Sequence, residues 1–357
     1  MADGTKIEWT DATWNPVTGC AVVSPGCTNC YAMRLAGTRL RHIASRAGLT
    51  RDSKAGPVWT GETRLNKAEL RKPLRWRRPR RIFVCAHGDL FAESVPDDWI
   101  DRVFAVMALA PQHTFQVLTK RARRMQSYFA ASPWRRVKDA AFEIIPGDVF
   151  DAFDRADQAL AHSPLRNVWL GVSVEDQARA QERVPDLLET PAAVRFVSAE
   201  PLLGRVDFRN LHVGDGAIVD ALNGRSTEYG EPDDGLVAPI ATRIPRLDWI
   251  VVGGESGAGA RPMHPAWARS IRDQCAEAGV PFFFKQVGEW AIERPRPGGD
   301  LGGDMRSCVV RHVCADRQND GHFRAGDVHM RRVGKARAGR LLDGREHNDM
   351  PEGGNER

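Results

Sequence analysis

Residues 18–32 read T-G-C-A-V-V-S-P-G-C-T-N-C-Y-A, with Cys20, Cys27 and Cys30 in a C-x6-C-x2-C spacing. The segment ahead of them, 12–16, reads as a strand, and the segment behind, 31–46, reads as a helix. The cysteines therefore sit on the loop of a strand–loop–helix unit, and Gly19, Pro25 and Gly26 supply its turns. Three thiolates on such a loop can hold three irons of a 4Fe-4S cube and leave the fourth iron open to a ligand. An open iron is what reductive cleavage of S-adenosylmethionine requires. Two other readings stay open at this point. A structural zinc ion takes four ligands, and no fourth Cys or His lies close in the chain. Three unlinked buried thiols are the remaining reading.

Beyond the cysteines the chain alternates short apolar runs with longer amphipathic ones. The runs are I-F-V-C-A (82–86), T-F-Q-V-L (114–118), V-W-L-G-V (168–172), V-R-F-V (194–197), W-I-V-V (249–252) and P-F-F-F (281–284). They are short, β-branched or aromatic and lack polar alternation, so they predict strands buried on both faces. Helical patterns over 97–109, 176–188 and 265–278 lie among them. Repeated strand–helix units imply parallel strands and right-handed crossovers. With the strand before the cysteines the count is about seven. The expected fold is α/β, a partial or complete TIM-like (β/α) barrel over residues 1–290. Residues 207–246, polar and rich in Gly and Pro, are expected to be an insertion or lid. Residues 291–357 lose the pattern and predict an irregular, partly disordered C-terminal extension.

In a βα barrel the active site lies at the carboxyl ends of the strands. Here almost every predicted strand runs into polar residues: His87 and Asp89, Thr119 and Lys120, Ser173 and Glu175, Ser198 and Glu200, Glu255 and Ser256, Lys285 and Gln286. One such residue is an ordinary helix cap. Several carboxylates and lysines converging on one rim beside a thiolate loop make a candidate site. Cys85 falls inside a predicted strand and Cys275 on a predicted helix, so both read as core. Cys308 and Cys314, with His312, His322 and His329, match no strong zinc spacing.

The 357 residues are 42% hydrophobic and 27% charged, a globular composition. No apolar run approaches the length of a membrane span, and the N-terminus has no apolar core of a secretory signal. Seven cysteines without an even framework predict a reducing, cytoplasmic setting. Net charge is +5. From Arg71 to Arg81 the chain reads R-K-P-L-R-W-R-R-P-R-R, seven cations around Trp76. Such a run suits phosphate neutralisation with the indole stacked on a base, so nucleic acid is the expected partner. A solvated surface loop is the alternative.

The opening I-E-W-T-D-A-T-W-N-P-V-T-G-C, with G-C-x-N-C-Y-A after it, resembles a phage-associated family known as domain of unknown function 5131, or three-Cys-motif phage protein. The blocks D-L-F, L-T-K-R, G-V-S-V-E-D-Q, S-A-E-P-L-L-G, W-I-V-V-G-G-E-S-G, F-F-K-Q-x-G-E-W and A-G-R-L-L-D-G-R-E-H are similar too, so the likeness runs from Ile7 to about Pro351. That family is itself similar to radical S-adenosylmethionine enzymes. The resemblance implies a 4Fe-4S cluster on Cys20, Cys27 and Cys30, S-adenosylmethionine as cofactor, a 5′-deoxyadenosyl radical as the reactive species, and an electron donor as partner. Asp89, Ser173 and Glu175 are expected to contact the cofactor, and Lys120, Glu200, Glu255 and Lys285 to line the substrate side. Two departures stand out. The usual first spacing is C-x3-C, and the G-G-E that usually ends the second strand is here Gly88-Asp89. The literal G-G-E, Gly253 to Glu255, ends the sixth strand. The rival reading is a non-catalytic nucleic-acid-binding protein with a structural metal site.

Overall fold

Each of the seven apolar runs becomes a strand in the computed structural model, which describes residues 5, 7–145, 154, 156–158, 160–161, 163–214, 216–228, 240–292, 310–314 and 325–352. They are β1 (Ala12–Trp14), β2 (Arg81–Val84), β3 (Thr114–Thr119), β4 (Val168–Ser173), β5 (Val194–Ala199), β6 (Trp249–Gly253) and β7 (Phe282–Gln286). Their order in the sheet is the order of the chain. Pairing is parallel at β1–β2, β2–β3, β3–β4 and β6–β7. β3, β4 and β6 are buried along almost their whole length, which is why their sequences carry no polar alternation. The order does not close: β1 and β7 are the two ends of the sheet. Among the described residues no pairing joins the first strand to the last, so of the two forms expected, partial or complete, it is the partial one that the sheet fits.

The chain divides into two compact units, residues 1–173 with 183–196 and 351–357, and residues 174–182 with 197–350. In the first, β1 to β4 carry helices α1 (Tyr31–Gly37), α2 (Asp97–Ala108), α3 (Ala122–Ala130) and α4 (Trp134–Ile144). The helix expected over 31–46 is cut to two turns, ending at Gly37. α2 begins after Pro96 with Asp97 and Asp98 in its first turn, where carboxylates favour the positive end of the helix dipole. Its buried face presents Ile100, Val103, Phe104 and Met107. Phe104 meets Tyr128 and Phe129 of α3 with ring centroids 5.9 and 5.3 Å apart. The fully buried Trp14 donates its indole N–H to the Glu69 carbonyl at 2.9 Å and packs on Phe115, which fixes β1 against β3.

In the second unit, α6 (Pro265–Ala278), which follows α5 (Gln177–Glu189), has both ends specified locally. His264 Nδ1 accepts the Ala266 N–H, Pro265 opens the first turn, and Gly279 at φ 63° closes the last. Residues 207–246 are not simply a polar lid. They form a four-stranded antiparallel sheet over Leu211–Val213, Ala217–Asp220, Arg225–Glu228 and Ile240–Arg243. The expectation of an irregular region after residue 290 is also corrected. Trp290–Ile292, Val328–Arg332 and Val310–Val313 pair as a three-stranded antiparallel sheet. The block around Asp343 then covers the outer edge of β7. Phe284 N–H donates to the His347 carbonyl at 2.9 Å, Asn348 bridges Phe283, and Trp249 Nε1 donates to the Asp349 carbonyl at 2.9 Å. An open sheet needs such a cover on its edge strand. Asp343 ties the cover to α6 by accepting from Arg269 at 2.8 Å and Arg272 at 2.5 Å, which holds its carboxyl below the usual carboxylate range.

Candidate functional site

The cysteine loop leaves the sheet at the carboxyl end of β1. Gly19 continues the parallel pairing by bridging Gly88, just beyond β2, and its N–H donates to the His87 carbonyl at 3.2 Å. Gly19 has φ 96°, and a Cβ there would lie 2.2 Å from the Glu62 carbonyl oxygen, so only glycine starts the loop in this way. Residues 25–27 form a 3-10 turn, and Cys30 caps α1. Cys27 is buried, while Cys20 and Cys30 are half-buried and pack on Ala32, Met33, Ala36, Leu49 and Trp59. Cys20 and Cys30 are thus held by a small apolar cluster, while the buried Cys27 sulfur lies 3.8 Å from the Ser24 hydroxyl. None of the six described cysteines is in a disulfide.

Arg121, one residue past the expected Lys120, is the group that sequence reading passed over. Its side chain is only 4% exposed. Nη1 donates to Cys20 Sγ at 3.3 Å and to Asp89 Oδ2 at 3.0 Å, and Nη2 donates to the Ala21 carbonyl at 2.9 Å. Nε reaches the exposed Glu93 carboxylate at 3.4 Å. Burial alone would lower the pKa of this guanidinium, but Asp89, Cys20 and Glu93 more than offset it and hold the group charged. Asp89, at the end of β2 as expected, accepts four hydrogen bonds. Oδ1 takes the Phe91 N–H at 3.0 Å and the Thr119 hydroxyl at 2.7 Å, and Oδ2 takes the Lys120 N–H at 3.1 Å besides Arg121. Its acceptor capacity is filled by the protein, so a ligand ammonium meets Asp89 only by displacing one of these donors. Lys120 contributes its backbone here.

Burial pushes the Cys20 thiol up to about 12, Asp89 adds to the rise, and Arg121 opposes it. Burial also raises Cys30, against the pull of the Met33 and Ala32 amides and the Trp59 ring. Bare thiols in these places stay protonated near neutrality, whereas a coordinated metal ion deprotonates them outright. Three cysteine side chains on one loop are a donor set that a 4Fe-4S cube could take, one thiolate to a corner. Among the described residues no three Cys, His, Asp or Glu side chains lie close enough to hold a single metal ion. A tetrahedral zinc ion keeps its thiolates about 2.3 Å from the metal and hence within about 4 Å of each other.

Of the remaining expected residues, Ser173 ends β4, buried, with its carbonyl accepting Arg183 Nη1 at 2.8 Å. Glu175 is fully buried, and its carbonyl accepts the Leu203 N–H at 2.7 Å. In the second unit, Glu200 and Lys285 come together, with Nζ 3.1 Å from Oε1, and the buried Ser198 hydroxyl donates to Oε2 at 3.2 Å. Glu255 does not join them. Its carboxylate clamps Arg261, accepting Nη2 at 2.6 Å, Nε at 2.9 Å and the backbone N–H at 2.8 Å, which closes the loop that follows β6. Cys85 and Cys275 are buried core thiols, as their positions in the pattern imply. Of the tail residues, Cys308 and His322 lie outside the described residues, as does the His312 side chain.

The basic run divides in two. Trp76 is half-buried and committed: Arg80 lies over its ring at 4.9 Å, Lys72 at 5.9 Å, and His113 meets it edge-on at 5.9 Å. Arg81 pairs with Asp11 at 2.9 Å, and Arg71 donates to the Glu143 carbonyl at 3.0 Å. Arg75, Arg77 and Arg78 are exposed. Trp76 therefore serves as a post for cations rather than a free stacking surface. No helix among the described residues is long and apolar enough to cross a membrane.

No curated protein and no solved structure is significantly similar to this chain. The blocks quoted above, from the cysteine loop to the edge cover of β7, fall within residues 4–351, and over that span the chain matches, and belongs to, the family described as "Protein of unknown function (DUF5131)".

Proposed function

We propose that this protein is a radical S-adenosylmethionine-type iron–sulfur enzyme that acts on nucleic acid or a nucleotide. The observation that carries the reading is the loop of Cys20, Cys27 and Cys30 at the carboxyl end of β1, with a buried guanidinium directed at one of its sulfurs. The consecutive parallel strand order fits a partial TIM-like barrel, the architecture in which strand ends host the chemistry. When bound, a 4Fe-4S cluster with one open iron supplies the electron that cleaves S-adenosylmethionine to methionine and a 5′-deoxyadenosyl radical, which takes hydrogen from the substrate. A one-electron donor is the implied partner, and the absence of a disulfide among the six described cysteines suits a reducing, cytoplasmic setting.

The chain's own residues have separate tasks in this reading. Cys20, Cys27 and Cys30 hold the cluster. Arg121 and Asp89 lock the loop to the ends of β2 and β3. Ser173 and Glu175 are assigned to the cofactor, as acceptors for its ammonium and ribose hydroxyls. Lys120, Glu200 and Lys285 serve the substrate, with the Glu200–Lys285 pair able to hold or pass a proton at Nζ. Glu255 acts through Arg261, by shaping the loop after β6. Arg75, Arg77 and Arg78 offer phosphate contacts.

The test is anaerobic reconstitution with iron and sulfide. The expected product is brown, absorbs broadly in the blue, gives a paramagnetic signal on reduction, and forms 5′-deoxyadenosine from S-adenosylmethionine. A colourless protein that takes up zinc in place of iron would support the structural-metal reading and end this one.

A further inference from the structure

We propose that Arg121 and Asp89 are a positioning pair that sets the reduction potential of the cluster through Cys20, Arg121 raising it and Asp89 moderating that rise. The inference rests on the cluster reading above and adds a function for two side chains that hold no metal.

The guanidinium is the only cation shown to donate to a cysteine sulfur of the loop among the described residues, and it does so from a nearly fully buried position. A charge 3.3 Å from that sulfur and largely shielded from water is screened less than an exposed charge would be. Reduction adds one negative charge to the cluster, so a fixed positive charge stabilises the reduced form and raises the potential. Arg stays charged at every working pH, so the influence does not titrate away. Asp89 accepts from the same Nη1 and carries the opposite charge, which weakens the field felt at the sulfur. Asp89 is itself pinned by Thr119 and by the Phe91 and Lys120 amides, so the pair has little freedom to rearrange. Nη2 on the Ala21 carbonyl holds the loop at its second residue, keeping Cys20 under the guanidinium. The charge and the geometry thus reach the cluster through one ligand.

The experiment measures the midpoint potential of the cluster's one-electron couple by anaerobic redox titration with a chemical one-electron reductant, followed by paramagnetic resonance. Wild type is compared with Arg121→Met, Arg121→Lys, Asp89→Asn and Glu93→Gln. Arg121→Met is expected to shift the potential down and Asp89→Asn to shift it up. Arg121→Lys keeps the charge and should return most of the way to wild type. Glu93→Gln, at an exposed carboxylate that touches Arg121 Nε, removes a negative charge without disturbing the core and should give a small upward shift. That variant keeps the test alive if Arg121→Met does not fold. A role confined to holding the loop would lower cluster content without ordering the potentials by charge. Loaded variants that all share the wild-type potential overturn this inference and leave the cluster reading intact. A wild-type protein that never assembles a cluster overturns both.

Discussion

Lys285 Nζ and the Glu200 carboxylate lie 3.1 Å apart at the ends of β7 and β5, in a space that Gly253 leaves free. A Cβ on Gly253 would fall 2.4 Å from Glu200 Oε1, which is the flexible end of a side chain. A Cβ on the next residue, Gly254, would fall 1.9 Å from the Val287 carbonyl oxygen, which is backbone and cannot yield cheaply. The two glycines of G-G-E therefore do different jobs. Gly253→Ala should fold, with a stability loss of about 1 kcal/mol or less, while pushing the Glu200 carboxylate off Lys285 and lowering activity. Gly254→Ala should lose several times more stability, about 3 kcal/mol, by forcing the β6 and β7 ends apart. Chemical denaturation of both variants checks this, and equal losses would remove the distinction.

The three-cysteine assignment makes a sharper demand. Cys20→Ala, Cys27→Ala and Cys30→Ala should each lose most of the bound iron on reconstitution. Cys85→Ala is the informative control, because burial raises the Cys85 thiol and the nearby Asp89 and Cys20 add to the rise, yet it lies at the end of β2 rather than on the loop. Its variant should keep iron at the wild-type ratio. Iron and sulfide analysis decides the matter, and iron retained in the three loop variants would contradict the assignment.

The strands were legible because short apolar, β-branched or aromatic runs bounded by turns stand out, most clearly β4 and β6, which are buried along their whole length. α3 and α4 were not, since A-R-R-M-Q-S-Y-F-A and W-R-R-V-K-D-A-A-F-E-I bury only a narrow stripe, Met125, Tyr128 and Phe129 in one and Val137, Ala140, Ala141 and Ile144 in the other. The antiparallel sheet in 207–246 was hidden by strands of three or four residues. Its one local signal was Asn223-Gly224, a turn pair in which Gly224 has φ 66° and Asp220 accepts both the N–H and the side-chain amide of Asn223. The cysteines and Asp89 could be picked out from residue type and position. Arg121 could not, because its partners Cys20 and Asp89 are remote in sequence and a single step along the loop after β3 decides whether Lys120 or Arg121 turns inward.

His87 gives a pH prediction. Burial lowers its pKa from 6.5 to about 4, and the Arg46 charge adds to this, while Nδ1 is buried without a partner among the described residues. The folded state therefore keeps the ring neutral where the unfolded chain protonates it. Between pH 6.5 and about 4 the unfolded state binds more protons, so stability is fully present above pH 6.5 and falls as pH drops through this window. The loss from this one ring should be on the order of 1–3 kcal/mol, toward the lower end because the ring is only partly buried. His87→Gln should flatten the slope of unfolding free energy against pH in that window. An unchanged slope would mean that the ring titrates alike in both states.

The basic run makes its own prediction, and the structure changes which residues to alter. Arg80 is stacked on Trp76 and Arg81 is paired with Asp11, so neither is free to meet phosphate without breaking a contact. Arg75, Arg77 and Arg78 are exposed and carry the test. Binding of a short DNA or RNA should weaken linearly in log–log form as salt rises, and Arg75→Gln, Arg77→Gln and Arg78→Gln should each lower the slope by about 0.9 for duplex or about 0.7 for a single strand. Trp76→Ala should behave differently from a stacking residue. Its indole supports Arg80 and packs on His113, so its loss should cost stability and leave the salt slope almost unchanged. If Trp76→Ala instead weakens binding to single strands with the fold intact, the ring does reach a base. If the triple Gln variant binds as well as wild type at low salt, the run is a solvated surface and nucleic acid must be sought elsewhere on the protein.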